Sequence, residues 1–244
     1  MEVLRSRQND TVRYFRSLAA DGALRRERRE FLCVGEKLLR EARSAGAEIS
    51  MLLWTREVEG LPCRVVSPEL LDYVSPLRNA SGPVFTVKMR ETEAAPVRRA
   101  LVLENVQDPG NVGTVLRTAD ALGMDRVVLC GACADPWNPK TVRSTMGAIF
   151  RQDFVQTDLD GLAEAIGGLP LYGAALTEAA VDIRQLPGAD CALAIGNEGK
   201  GLTPELLARC AGQVIIPMRP CAESLNAAVA ASICMWELVR GWHD

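Results

Sequence analysis

The sequence of 244 residues contains one histidine, His243, at its penultimate position. Ser-His-Asp triads, Cys-His dyads, histidine-rich metal sites and histidine acid/base chemistry therefore have almost no material to work with. Long apolar runs are missing as well. No window of about 20 uninterrupted apolar residues exists, and the opening MEVLRSRQNDTVRYF has no apolar core of the kind a secretory signal requires. A cytoplasmic protein without a membrane segment is expected. Lysine is scarce, since arginine supplies 24 of the 28 cations. Metal-ligand spacing is nearly absent too: of eight cysteines only Cys130 and Cys133 form a CxxC, with no second ligand pair and no redox-fold context. The cysteines read as small buried hydrophobes, and no metal is expected.

With 48% hydrophobic and 24% charged residues, the chain is an ordinary globular protein of one large domain or two ordinary ones. The net charge of −3 conceals a division. Residues 1–99 carry 18 cations against 14 carboxylates, a balance of +4, and residues 100–244 carry 10 against 17, a balance of −7. Arg25, Arg26, Arg28 and Arg29 form a cluster suited to phosphate forks and base stacking, with a solvated helix face as the plainer alternative.

The stretch MRETEAAPVRR (89–99) has charges and a proline but no apolar periodicity, which predicts a domain boundary: residues 1–90, a linker at 91–99, and a second domain at 100–244. In the first part FLCVG, SMLLWT and PVFTVKM read as strands, and EKLLREARSAG and PELLDYVS as helices, a small α/β module. In the second, ALVLE, RVVLC, DFVQT, LYGAAL, CALAI and QVIIP are wholly apolar runs separated by helical stretches. That pattern predicts a doubly wound parallel sheet of five or six strands, with ligands at the carboxyl ends.

Two glycine-bearing loops follow apolar strands, DPGNVGTVLRTA and GNEGKGLTPELL. Glycine there permits close approach of a ligand to backbone N–H groups and a helix N-terminus. Neither is a GxGxxG dinucleotide fingerprint, which disfavours a nicotinamide-dependent oxidoreductase, and Lys200 is followed by glycine, which excludes a Walker loop. Three ordered blocks, NVGTVLRTADALG, AIGNEGKGL and IIPMRPCAESLNAAVAASI, resemble those of the SpoU/TrmH family of RNA ribose 2′-O-methyltransferases in the SPOUT superfamily. Cys221 and Ala222 depart from the third block, where glycine and a β-branched or polar residue are usual.

The resemblance implies an α/β fold: a SPOUT-type parallel sheet with a deep trefoil knot, preceded by a small α/β domain like ribosomal protein L30e that binds RNA. It implies S-adenosylmethionine in a pocket formed by Ala175, Leu176, Gly196, Ile216, Met218 and Leu225, with Gly196 leaving room for the adenine. It further implies catalytic roles for Asn111, Arg117, Glu198, Ser224 and Asn226: Arg117 activating the hydroxyl or clamping a phosphate, and Glu198 holding Arg117 or Asn111 or contacting RNA. Ser224 and Asn226 also suit the cap of the last helix. Arg143, Lys200, Arg25, Arg26, Arg28 and Arg29 are candidate RNA contacts. Ribosomal RNA, 23S above all, is the expected substrate, with transfer RNA or a non-catalytic RNA-binding role as alternatives. A homodimer through the C-terminal domain is expected, with the helix from Ser224 to Arg240 at its interface because apolar residues surround nearly its whole circumference.

Overall fold

A computed structural model describes residues 3–77, 82–91, 95–186, 190–219 and 224–240. His243, Cys221, Ala222 and linker residues 92–94 lie outside them. In chain order the first elements are α1 (Asp10–Ala20), α2 (Gly22–Arg28), β1 (Glu30–Val34), α3 (Glu36–Ser44), β2 (Ile49–Trp54), β3 (Cys63–Val65), α4 (Pro68–Val74) and β4 (Val84–Lys88). There follow β5 (Arg99–Glu104), α5 (Pro109–Leu122), β6 (Arg126–Cys130), α6 (Pro139–Ser144), β7 (Phe154–Thr157), α7 (Leu162–Ala165) and β8 (Leu171–Ala174). The last are β9 (Val181–Asp182), β10 (Cys191–Ile195), α8 (Pro204–Leu207), β11 (Gly212–Ile215) and α9 (Ala227–Val239). Among the described residues no helix is long and apolar enough to cross a membrane.

The chain forms two compact units, residues 1–91 with 135–151, and residues 92–134 with 152–244. The sequence predicts a single cut at the linker, whereas the segment 135–151 groups with the first unit. The reason is apolar: Phe31 of β1, 1% exposed, stacks against Trp137 at 4.7 Å between ring centroids and lies 6.2 Å from Phe150. The first unit's sheet has the order β1-β4-β2-β3, with β4 antiparallel to its neighbours and β2 parallel to β3. On its other face Val12 and Phe15 of α1, with Leu70 and Val74 of α4, pack on Leu32, Leu53 and Val84.

Arg25 is a correction. It is 3% exposed and its guanidinium binds the Asp135 carboxylate at 2.6 Å and the Leu18 carbonyl at 2.7 Å, so it holds the first unit together and is not available to RNA. Arg26, Arg28 and Arg29 are exposed, and Arg29 closes α2 in the left-handed conformation at φ 49°. Arg25→Ala strands the Asp135 carboxylate, and removing one partner of such a buried pair costs about 3 kcal/mol. A lowered urea midpoint with unchanged RNA affinity is the expected result.

Among the described residues the second unit holds seven parallel strands in the order β7-β6-β5-β10-β8-β11-β9. All six apolar runs are strands. The seventh, β9, is a two-residue edge strand beside β11, too short to carry a pattern. Ala100, Val102, Val128, Ala192 and Ala194 form one core with Leu162 and Ile166 at α7 and Leu206 of α8. Their alternating neighbours Leu101, Leu103, Leu129 and Leu193 are equally buried, on the face that α5 and α9 contact. Burial on both faces is why these strands read as unbroken apolar runs.

Candidate active site

Because β8, β10 and β11 are parallel, the loops that leave them emerge together at the carboxyl edge of the sheet. They enclose a cavity of 630 Å³. Ala175 and Leu176 line it from the β8 loop, Gly196 and Glu198 from the β10 loop, and Ile216 and Met218 from the β11 loop, with Ser224 and Leu225 closing it ahead of α9. All six residues that the resemblance assigns to the cofactor thus share one cavity.

Gly196 has a different reason to be glycine from the one the sequence suggests. A Cβ built on it falls well under 3.0 Å from the carbonyl of Gly201 and the amide of Leu202, so it is the loop's own backbone that excludes a side chain. The loop closes through Asn197 N–H donating to the Gly201 carbonyl at 3.1 Å and Gly201 N–H returning to the Asn197 carbonyl at 2.9 Å. The Asn197 side chain then accepts from the amides of Gly199 and Lys200 and donates to the Asn105 carbonyl at 3.0 Å. Asn105, just past β5 at φ 55°, also accepts from Ala132 N–H through its side chain. Asn105 and Asn197 organise the site and are absent from the sequence assignment. The available signal was an asparagine ending an apolar strand, a residue that tolerates the left-handed region.

Three expected residues, far apart in sequence, form one chain of amides and carboxylate. Asn111 Nδ2 donates to Glu198 Oε1 at 2.6 Å, and Asn226 Nδ2 donates to Asn111 Oδ1 at 3.1 Å. Asn226 Oδ1 accepts from the amides of Ala228 and Val229 and so caps α9. The orientations are forced in sequence: a carboxylate only accepts, so Asn111 presents its NH₂ to Glu198, its oxygen must then accept, and Asn226 must donate. Glu198 therefore engages Asn111 rather than Arg117. Arg117 is exposed on α5 and makes no hydrogen bond or ion pair with the described residues. Ser224 stands two residues ahead of the cap and lines the cavity, leaving the cap to Asn226 alone.

Lys200 is exposed on the β10 loop, and Arg143 is exposed on α6 in the first unit. Burial pushes the thiols of Cys130 and Cys133 up to about 11, in keeping with small buried side chains. Among the described residues no cluster of three metal-binding side chains occurs.

The second unit is thus a doubly wound parallel-sheet domain with a loop-built cavity and a polar relay beside it, the architecture of an α/β domain that binds a small molecule at the carboxyl ends of its strands. The profile of the SpoU rRNA Methylase family matches residues 98–236, and the chain belongs to that family. It is 33% identical to the 23S rRNA (guanosine(2553)-2′-O)-methyltransferase RlmP of Bacillus subtilis, over 98% of this chain and 99% of that protein. Its structure is similar to the AdoMet-bound rRNA methyltransferase from Sinorhizobium meliloti, with a TM-score of 0.86, 28% identity and coverage of 98% and 97%. It is similar also to the SpoU methyltransferase AviRb from Streptomyces viridochromogenes in complex with AdoMet, with a TM-score of 0.85, 26% identity and coverage of 97% and 99%.

Proposed function

We propose that the chain transfers a methyl group from S-adenosylmethionine to a ribose 2′-hydroxyl of ribosomal RNA, in the cytoplasm and as a homodimer. The observation that carries this reading is the 630 Å³ cavity, which lies in the usual range of roughly 300 to 1,000 Å³ for small-molecule sites. Its lining fits the cofactor: Ile195, Val214, Ile216 and Leu225 offer an apolar slot for the adenine, and the Glu198 carboxylate favours a cation. Bound there, S-adenosylmethionine supplies an electrophilic methyl on its sulfonium. A relative matched over the full chain acts on 23S rRNA, which supports ribosomal over transfer RNA. The family supports the trefoil knot as part of the same reading.

The chain's own residues position and polarise. Both ends of the Asn111 amide are engaged, so Asn111 transfers no proton and instead fixes the opening turn of α5 against the loop of Glu198 and the start of α9. Arg117, without a partner among the described residues, is available to the hydroxyl and its neighbouring phosphate. Positioning of the ribose oxygen contributes the larger share, up to roughly 7 to 11 kcal/mol in well-oriented systems. Titration with labelled S-adenosylmethionine should give saturable binding, and mass spectrometry of RNA from a deletion strain should show one missing 2′-O-methyl nucleotide in 23S rRNA. Unchanged 2′-O-methylation throughout would reject the activity.

The homodimer rests on α9. Val229 and Trp236, seven residues apart and therefore on one face, are 49% and 54% exposed, while Ala228, Ala231 and Met235 are buried within the protomer. A second copy covering that stripe completes its burial. Trp236→Glu is expected to turn a particle of twice 26.5 kDa into one of 26.5 kDa by light scattering.

A further inference from the structure

In the first unit two arginines rest on one tyrosine. The Arg7 guanidinium lies 4.4 Å from the centroid of Tyr73 and that of Arg16 lies 4.3 Å from it, while Arg16 Nη1 donates to the Tyr73 carbonyl at 2.6 Å. Both arginines are exposed, and neither has an ion-pair partner among the described residues. Three other arginines of the unit are neutralised: Arg25 by Asp135, Arg151 by Glu41, and Arg56, itself stacked on Trp54, by Glu36. Holding two like charges on one ring incurs their mutual repulsion, which an anion bridging or flanking them relieves. The ring also immobilises side chains that otherwise lose much rotamer freedom on binding, so the pair is organised in advance.

We infer that Arg7, Tyr73 and Arg16 form a clamp for two backbone phosphates of the RNA substrate. This rests on the reading of the chain as an RNA methyltransferase and assigns the grip on RNA to α1, α4 and the segment ahead of them, away from the arginine cluster around α2. A guanidinium fork matches the oxygens of a phosphate, and the excess of +4 over residues 1–99 gives the same sign of field. Phosphate contacts carry no sequence information, so the clamp sets affinity and register and leaves nucleotide choice to the second unit.

The test uses the full chain and protein-free 23S rRNA transcribed in vitro, with dissociation constants measured over a range of KCl concentrations. Losing two phosphate contacts makes the slope of log K against log salt shallower by about 1.4, which is about 25-fold in affinity at 0.1 M salt. The Arg7→Gln/Arg16→Gln double variant should show both changes, with cooperative unfolding and S-adenosylmethionine affinity retained. The corresponding Arg→Lys double variant should recover the slope. Tyr73→Leu, which keeps both charges, should weaken binding at an unchanged slope. Wild-type affinity and slope in the double glutamine variant overturn the clamp, and so does a Tyr73→Leu protein indistinguishable from wild type. A wild-type chain that fails to bind the transcript overturns instead the reading of the protein as an RNA enzyme, and the clamp with it.

Discussion

Gly196→Ala weakens S-adenosylmethionine binding about 100-fold while the sheet of the second unit stays folded. The added methyl meets the backbone of Gly201 and Leu202, which has no rotamer by which to yield. The loop must therefore open, and with it go the paired hydrogen bonds between Asn197 and Gly201 and the wall that carries Glu198. A forced backbone shift of this kind costs about 3 kcal/mol, or about 100-fold in affinity when all of it falls on the bound state. Calorimetric titration checks it. Wild-type affinity in Gly196→Ala would show that the cofactor lies elsewhere.

Arg117→Ala separates binding from chemistry. Arg117 lies outside the cavity lining and holds no other side chain among the described residues, so its loss disturbs neither the pocket nor the relay of Asn111, Glu198 and Asn226. Cofactor affinity should be unchanged, and single-turnover methyl transfer should fall by roughly 10² to 10⁴, the usual effect of removing one acid/base or charge-positioning group. Arg117→Lys should recover little of it, since an ammonium is a point charge without the planar fork. Transfer at the wild-type rate in Arg117→Ala would remove Arg117 from the mechanism.

The parallel sheet is legible in the sequence because burial on both faces writes a strand as an apolar run, and β5, β6 and β10 are such runs. Asn9 followed by Val12, Phe15 and Leu18 likewise spells the cap and buried face of α1. Site residues are legible one at a time, but their meeting is not. Asn111 and Glu198 are 87 residues apart and Asn226 is 115 from Asn111, separations at which no local periodicity operates. Arg25 misleads for the same reason: within RRERR it looks like its neighbours, and only Asp135, 110 residues on, reveals that it points inward. Gly196 shows a third limit. A glycine required by its own loop and a glycine required by a ligand look alike in sequence.

The assignment of residues 135–151 to the first unit bears on how the chain is made. A ribosome that has released only residues 1–91 has delivered a sheet one of whose faces waits for Trp137 and Phe150, with Phe31 still in water. The first unit is completed only after β5, α5 and β6 of the second have emerged, so the two halves mature by interleaving rather than in succession. Chain release, more than the linker, thus sets the earliest moment at which the first unit is complete, and a nascent fragment ending at the linker presents an uncovered apolar face to chaperones.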